Sequence, residues 1–145
     1  MKVKVDDVIK GHFPHKGSHR AAGIDLFACV NKKTVIRPNE QIVIGSGVYL
    51  DMSDDGVIFG MVVPRSGWGI KGLVLANTVG IIDSDYQGEI KMVVKNTSDV
   101  PLVIDPLDRI CQLIFLSSFQ PVIDFVDSFD IKTERGDAGF GSSGK

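Results

Sequence analysis

Two carboxylates, Asp83 and Asp85, follow an apolar run in the segment VGIIDSDYQGEI, residues 79–90, and lie beside the aromatic Tyr86. An aspartate with an ordinary pKa of about 3.9 is ionised at neutral pH and can accept a proton from an attacking water molecule. The same residue types also fit a polar turn that closes a β-hairpin. The segment therefore predicts either a plain hairpin turn or a hairpin on which one carboxylate does chemistry.

A second polar group stands at the end of an apolar strand, in PRSG, residues 64–67. Proline ends strand pairing and Gly67 permits a tight bend, so Arg65 and Ser66 are held at the strand end. Arginine, a hydroxyl group and the following amides can together bind an anion. A turn with a surface arginine fits the tetrapeptide equally well.

The last eleven residues, RGDAGFGSSGK, have the composition of a disordered tail. Individual residues of this segment also suit nucleotide binding: Arg135 can bind a phosphate through two hydrogen bonds, glycine amides can approach phosphate oxygens, and Phe140 can stack on a base. Both interpretations stay open from the residues alone.

Short strands must position these groups, because apolar residues alternate with polar ones along most of the chain. The pattern predicts strands at 2–9, 41–50, 56–63, 88–96, 101–104 and 109–116. A turn of helix within 66–72 is the one helical suggestion. Many short strands predict an all-β fold, a sandwich, jelly roll or barrel.

The composition limits the classes of function. The 145 residues fit one domain, and a net charge of −2 argues against a general binder of nucleic acid or of a membrane surface. Two distant cysteines, Cys29 and Cys111, indicate neither a disulfide scaffold nor a zinc ribbon. The start of the chain shows no signal peptide and no stretch approaches a membrane span, so we expect a cytoplasmic protein.

Three histidines, His12, His15 and His19, crowd one loop. Their spacing is reminiscent of zinc ligands, but Pro14 and Gly17 break any helix that would align them. A solvated loop is the favoured interpretation.

Five separated segments resemble the five ordered motifs of the homotrimeric deoxyuridine triphosphatase (dUTPase) family. They are AGIDLFA (22–28), PRSG (64–67), NTVGIIDSDYQG (77–88), DRICQLIF (108–115) and RGDAGFGSSG (135–144). The resemblance implies a jelly-roll-like β domain over 1–134 and a flexible C-terminal lid over 135–145. It also implies a homotrimer whose three active sites are shared between chains, and hydrolysis of dUTP to dUMP and pyrophosphate with Mg²⁺ on the triphosphate.

Matched to the third motif, Asp83 is the catalytic residue that orients and activates the water, and Asp85 is a turn former. Tyr86 resembles the tyrosine that packs on the deoxyribose and excludes a 2′-hydroxyl. The resemblance assigns uracil recognition to Asn77 and to the backbone of Gly80, Ile81, Ile82, Asp83 and Lys91.

The other motifs imply the remaining roles. Asp25 would hold the hydration shell of the metal indirectly, or brace the site, unless local backbone satisfies it. Arg109 is either structural, which we favour, or phosphate-facing, and Cys111 packs in the core. The implied phosphate-binding residues are Arg65, Ser66, Gly67, Gln112, Arg135, Gly141, Ser142 and Ser143, and Phe140 is the implied base-stacking residue.

Two departures from the family pattern are Trp68, after PRSG, and Arg20, before the first motif. Two other functions stay open on the same fold. One is a dCTP deaminase-type relative, which would need a catalytic glutamate and another base pocket. The other is a regulatory protein whose interactions depend on a bound nucleotide.

Overall fold

The structure is a computed structural model that describes residues 1–54 and 56–139. Nearly all regular structure in this part of the chain is β-strand, which confirms the predicted all-β fold. The strands are β1 (Lys2–Val5), β2 (Ile24–Phe27), β3 (Thr34–Ile36), β4 (Gln41–Asp51), β5 (Ile58–Pro64), β6 (Leu73–Leu75), β7 (Gly80–Ile82), β8 (Glu89–Asn96), β9 (Leu102–Ile104) and β10 (Arg109–Ser117). A 3₁₀ turn spans Asp7–Ile9, and a single-turn helix, α1, spans Ser66–Gly69, where the sequence suggests a helical turn.

The strands form two four-stranded antiparallel sheets, in the orders β1-β4-β8-β6 and β2-β10-β5-β7, and β3 pairs with β9. Alternate side chains face a common apolar core, as the period of two requires. In β8, Ile90, Met92 and Val94 are fully buried, whereas Lys91 is exposed. Cys111 is also fully buried in the core, which confirms its predicted packing role.

The predicted strand over 2–9 is too long, because β1 ends at Val5 and the 3₁₀ turn follows. Four strands that the period did not predict are β2, β3, β6 and β7, each three or four residues long. Three residues are too few to show an alternation that can be told from chance.

The hairpin predicted for residues 79–90 is wrong in its pairing. β7 pairs with β5, whereas β8 pairs with β4 and β6 in the other sheet. Residues 83–88 therefore cross from one sheet to the other. The turn at the start of this crossing has a hydrogen bond from the Tyr86 amide to the Asp83 carbonyl, at 3.1 Å.

A β-bulge shapes β4 opposite the start of β8. The register shifts between Gly45, which pairs with Lys91, and Tyr49, which pairs with Glu89. Gly47 has a φ of +64° there, a left-handed conformation that favours glycine, and its amide donates to Glu89 Oε1 at 3.0 Å. The bulge therefore holds the first residues of β8 in place.

Beyond Ser117 the described chain, up to residue 139, has neither helix nor strand and is mostly exposed. Seven of its large apolar side chains are more than half exposed: Phe119, Val122, Ile123, Phe125, Val126, Phe129 and Ile131. The division into a domain over 1–134 and a lid over 135–145 stays a prediction. No helix of the described residues is long and apolar enough to cross a membrane.

Candidate active site

A cleft of about 250 Å³, the Arg65 cleft, opens where three distant segments meet. Strand pairing brings them together, because Gln112 of β10 pairs with Asp25 of β2 on one side and with Val63 of β5 on the other. Arg65 follows β5, and its amide donates to the carbonyl of Ile110 at 3.0 Å. The cleft is lined by Gly17, Ser18, Ala21, Gly23, Asp25, Arg65, Ser66 and Gln112.

Asp25 is the buried charged residue of this cleft, with a side chain only 5% exposed. Its Oδ1 accepts from Arg65 Nε at 3.1 Å, and its Oδ2 accepts from Arg109 Nη1 at 3.2 Å. His15 Nδ1 lies 2.8 Å from the same Oδ2. Side chains, not the local backbone, therefore satisfy this carboxylate, and Arg109 is one of them, while the choice between its structural and phosphate-facing roles stays a prediction.

The Arg65 guanidinium is about one-third exposed and carries five N–H donors. The Nε donor contacts Asp25, and this contact fixes the plane of the guanidinium at the cleft. The arginine can present its other N–H groups to an anion as a planar fork. This geometry agrees with the anion-binding interpretation of PRSG.

Gly23 makes room for the side chain of Gln112. A Cβ atom at Gly23 would lie only 2.6 Å from Gln112 Oε1, closer than real Cβ contacts, and 3.1 Å from Gln112 Cβ, which is a tight contact. The glycine of AGID thus permits the glutamine to lie in the cleft beside Arg65. An amide that can donate and accept is suited to phosphate oxygens and their waters.

A second and larger opening, the Asp83 cleft, has a volume of about 570 Å³. Asp83 directly follows β7 and is exposed, and within the described residues its carboxylate makes no hydrogen bond or ion pair. An exposed carboxylate without a partner is available to bind water. The cleft is lined by Ser53, Gly56, Ile58, Phe59, Ile81, Asp83, Ser84, Asp85, Ser118 and Gln120.

Tyr86 stands next to Asp83 with its ring partly exposed. Its hydroxyl donates to the Glu89 carbonyl at 3.1 Å, and a Cβ atom on Gly88 would overlap the ring. The glycine and this hydrogen bond therefore fix the tyrosine ring along the crossing segment. An aromatic face held in this way can act as a wall against a ligand.

The structure brings together part of the predicted site. Asp25, Arg65, Ser66 and Gln112 share the Arg65 cleft, and Ile81 and Asp83 share the Asp83 cleft. The predicted residues that line neither cleft are Gly67, Asn77, Gly80, Ile82, Tyr86, Lys91 and Arg135. Phe140, Gly141, Ser142 and Ser143 lie outside the described residues.

Arg135 lies after the last strand, and its Nε donates to the carbonyl of Ala138 at 3.0 Å. Gly80 approaches β5 closely, since a Cβ there would lie 3.2 Å from Val62 Cβ. Trp68 packs partly against the core, and the Lys71 ammonium lies 4.6 Å from its ring centroid. These contacts fix the positions of Arg135, Gly80 and Trp68, but none of the three residues lines either cleft.

The loop before β2 has a role that the sequence pattern did not predict. Gly17, Ser18 and Ala21 line the Arg65 cleft, and His15 is half-buried against Asp25 rather than solvated. Within residues 1–54 and 56–139, no three His, Cys, Asp or Glu side chains are grouped to hold a metal ion. The clustering of basic side chains just before AGID was the available signal.

The comparisons with known proteins agree with this geometry. The family model described as dUTPase matches residues 10–144. The deoxyuridine 5′-triphosphate nucleotidohydrolase of Aromatoleum aromaticum is 42% identical over all of this chain and 97% of its own length. That of Wigglesworthia glossinidia brevipalpis is 44% identical over 86% of this chain and 82% of its own.

Among solved structures, the dUTPase of Staphylococcus bacteriophage 80alpha with dUpNHpp has a TM-score of 0.85 at 26% identity. The match covers 99% of this chain and 98% of the phage chain. Family model, relatives and fold agree over essentially the full length of the chain. The chain belongs to the dUTPase family.

Proposed function

We propose that the chain hydrolyses dUTP to dUMP and pyrophosphate. The observation that carries the proposal is the Arg65 cleft, where three distant segments bring an arginine, a serine hydroxyl and a glutamine amide beside a buried carboxylate. The relatives' names, deoxyuridine 5′-triphosphate nucleotidohydrolase, and the phage structure with dUpNHpp support the same substrate. The activity would limit uracil incorporation into DNA and supply dUMP for dTMP synthesis.

The Arg65 cleft would bind the triphosphate. Arg65 offers N–H donors that Asp25 has already oriented, and Gln112 and the Ser66 hydroxyl offer further hydrogen bonds. A preorganised cationic site of this kind stabilises charge that develops on phosphate oxygens. Gly67 would contribute its amide next to Ser66.

Asp83 would act as the general base. As the water oxygen forms its bond to the α-phosphorus, one proton of that water passes to the Asp83 carboxylate. The bond between the α-phosphorus and the oxygen that bridges it to the β-phosphorus breaks. Pyrophosphate leaves with that oxygen, and dUMP keeps the new one.

The deoxyribose and the base would lie along the crossing between β7 and β8. The fixed ring of Tyr86 would leave no space for a 2′-hydroxyl. Asn77, the backbone of 80–83 and that of Lys91 would read uracil, because cytosine places a donor where uracil places an acceptor. Since β7 and β8 belong to different sheets, this pocket would lie between sheet ends rather than inside a paired hairpin.

Mg²⁺ fits the site when most of its ligands are triphosphate oxygens and water. Asp25 would take part through a water molecule, with the acceptor position that remains when three of the described side chains occupy its two oxygens and a carboxylate offers about four such positions. When bound, the ion would neutralise charge on the triphosphate. The protein would contribute to the hydration shell of the ion through the acceptor position on Asp25 Oδ1 that no described side chain occupies.

A homotrimer with shared sites explains two features of the single chain. The Asp83 cleft and the Arg65 cleft have no lining residue in common, although one substrate must reach both. The seven exposed apolar side chains between 119 and 131 would also become covered if this segment packs on a neighbouring chain. We further propose that residues 135–145 of a chain close over the site, with Arg135 and Ser142 on the phosphates, the Gly141 amide beside them, and Phe140 on the base.

The decisive experiment measures pyrophosphate release from dUTP, dCTP, dTTP and UTP side by side, with Mg²⁺ present. We expect turnover of dUTP and at least about a hundredfold lower kcat/KM for the other three. Deamination of dCTP without pyrophosphate release would identify a deaminase instead. Binding of dUTP without any turnover would identify a nucleotide-dependent regulator.

A further inference from the structure

His15 contacts the buried Asp25 through both its main chain and its side chain. The Asp25 amide donates to the His15 carbonyl at 2.8 Å, and His15 Nδ1 lies 2.8 Å from Asp25 Oδ2. Because an ionised carboxylate only accepts, the proton of this hydrogen bond must lie on Nδ1 of the imidazole. The loop before β2 is thus bound to the carboxylate that holds Arg65.

The imidazole ring is itself held by its neighbours. Arg109 Nη1 lies 3.3 Å from Nδ1 and 3.4 Å from Nε2, so it is in contact with both ring nitrogens. The ring of Phe27 meets the imidazole edge-on, with centroids 6.2 Å apart. These contacts fix the direction in which Nδ1 donates.

The carboxylate of Asp25 lies between two guanidinium groups, and each can draw it into a different orientation. Arg65 binds Oδ1, Arg109 binds Oδ2, and the Nδ1 donor of His15 adds a second hydrogen bond on Oδ2. With this donor, a rotation of the carboxylate that takes Oδ2 off Arg109 would break two hydrogen bonds instead of one, and the same rotation would displace Oδ1 from Arg65. The donor therefore keeps Oδ1 on Arg65 Nε.

We propose that His15 is a positioning residue for triphosphate binding: it fixes Asp25, and through Asp25 it holds the Arg65 fork open toward the cleft. The inference rests on the proposed function, since it assigns the bound anion to the triphosphate of dUTP. His15 does not touch the substrate in this arrangement. Loss of the His15 side chain would therefore weaken binding of the phosphates and leave the recognition of deoxyuridine intact.

Two substitutions separate the donor from the ring. His15→Phe keeps an aromatic ring against Phe27 but removes the Nδ1 donor, whereas His15→Asn keeps an amide donor near the Nδ1 position without the ring. We expect KM for dUTP to rise about tenfold in His15→Phe with kcat changed less than about threefold, as for lost uniform binding. We expect His15→Asn to stay within about threefold of the wild-type KM.

The matched control is His12→Phe. The His12 ring also lies near Phe27, with centroids 5.8 Å apart, but no described contact joins it to Asp25. We expect its KM to be unchanged. The inhibition constant of deoxyuridine, which has no phosphate, is measured for each variant and should also stay at the wild-type value.

Equal KM values for His15→Phe and the wild type, or equal impairment of His15→Phe and His15→Asn, would overturn the inference. A parallel loss of deoxyuridine binding would also overturn it, because a general structural role would weaken both ligands. If His15→Phe does not fold, ¹⁵N NMR of the wild-type imidazole still decides: a proton on Nδ1 supports the contact, and a neutral ring protonated only at Nε2 refutes it. Absence of dUTP turnover in the wild type would refute the proposed function itself, before any variant is compared.

Discussion

At the scale of single residues, Asp83 and Asp85 provide a matched pair. Both carboxylates are exposed and both line the Asp83 cleft, two positions apart in the crossing segment. We predict that Asp83→Asn lowers kcat for dUTP by about 10²–10⁴-fold, because the amide keeps the volume but cannot accept the proton of water. Steady-state pyrophosphate release measures the effect.

Asp85→Asn is the control for this change. It removes the same charge from the same cleft, so a general electrostatic effect would slow both variants alike. We expect it to keep kcat within about threefold of the wild type. A variant Asp83→Asn that turns over dUTP at the normal rate would remove Asp83 from its proposed role.

The buried thiol of Cys111 predicts how stability changes at alkaline pH. Burial raises the pKa of Cys111 from 9.0 to about 12, so the folded protein keeps the proton when the unfolded chain loses it. The stabilising contribution is complete below pH 9 and is lost as the pH rises toward 12. We predict that the free energy of unfolding falls by up to about 1.4 kcal/mol per pH unit in this range on account of Cys111.

Urea unfolding of Cys111→Val and the wild type at pH 8 and pH 10.5 isolates this contribution, because the other titrating groups are shared. The difference in unfolding free energy between the two proteins should shift in favour of the variant at the higher pH. The pKa of Cys29, raised to about 11 by burial and by the charges of Glu89 and Asp6, adds a similar trend to both proteins. A constant difference would show that Cys111 does not titrate in this way.

At the scale of elements, the buried Asn96 of β8 contacts both β3 and the loop that leads to β9. The side-chain amide at the end of β8 donates to the carbonyls of Ile36, at 2.9 Å, and Val100, at 2.8 Å. Its Oδ1 accepts from the amide and the hydroxyl of Ser98, at 2.9 Å and 2.7 Å. The β3–β9 pair is thus tied to the larger sheet through one fully buried side chain.

We predict that Asn96→Ala lowers the free energy of unfolding by about 2–4 kcal/mol, because the buried Ile36 carbonyl and the part-buried Val100 carbonyl each lose a donor. Ser98→Ala removes only one of the four hydrogen bonds and should cost about 1 kcal/mol. Urea unfolding at one fixed protein concentration compares the two, since subunit association also affects apparent stability. Equal losses in the two variants would contradict the role given to Asn96.

Element length decides how much of the fold can be predicted from the sequence. β4, β8 and β10 are eight to eleven residues long, and their alternation predicts them to within one residue. β7 has three residues, and its partner is β5 rather than the strand that follows it in the chain. Local pattern reports which residues are extended, whereas pairing partners depend on the packing of the whole core.

The same limit applies to the candidate site. Arg65 and Gln112 can be picked out singly from their motifs, but their meeting depends on the order β2-β10-β5 within one sheet. The contact of His15 with Asp25 depends on the path of an irregular loop, for which no periodic pattern exists. The sequence therefore predicts residue types at the site better than it predicts their contacts.

At the scale of the whole molecule, the two clefts test whether sites are shared between chains. Asp83→Asn and Arg65→Gln each damage a different cleft, so each homotrimer should be nearly inactive. In a trimer that combines both chains, a site that takes Asp83 from one chain and Arg65 from another can be intact. When the two variants are co-expressed in equal amounts, the chance that a site takes a normal Asp83 is one half, and so is the chance that it takes a normal Arg65. We therefore predict that about a quarter of the wild-type activity is restored over all trimers.

The control pair places both changes in one cleft, with Arg65→Gln and Gln112→Ala in separate co-expressed chains. Whichever chain supplies the Arg65 cleft then carries a lesion, so the activity of the mixture should not exceed the mean of the two parent proteins. Analytical ultracentrifugation tests whether each preparation is trimeric, as proposed. Affinity tags of two kinds then select the mixed trimers, which exclude the pure parents, so that about one site in three rather than one in four should be intact. If activity is restored only when Asp83→Asn is combined with Arg65→Gln, the two clefts of one active site belong to different chains. No restoration in either pair would place both clefts of a site on a single chain and refute the shared site.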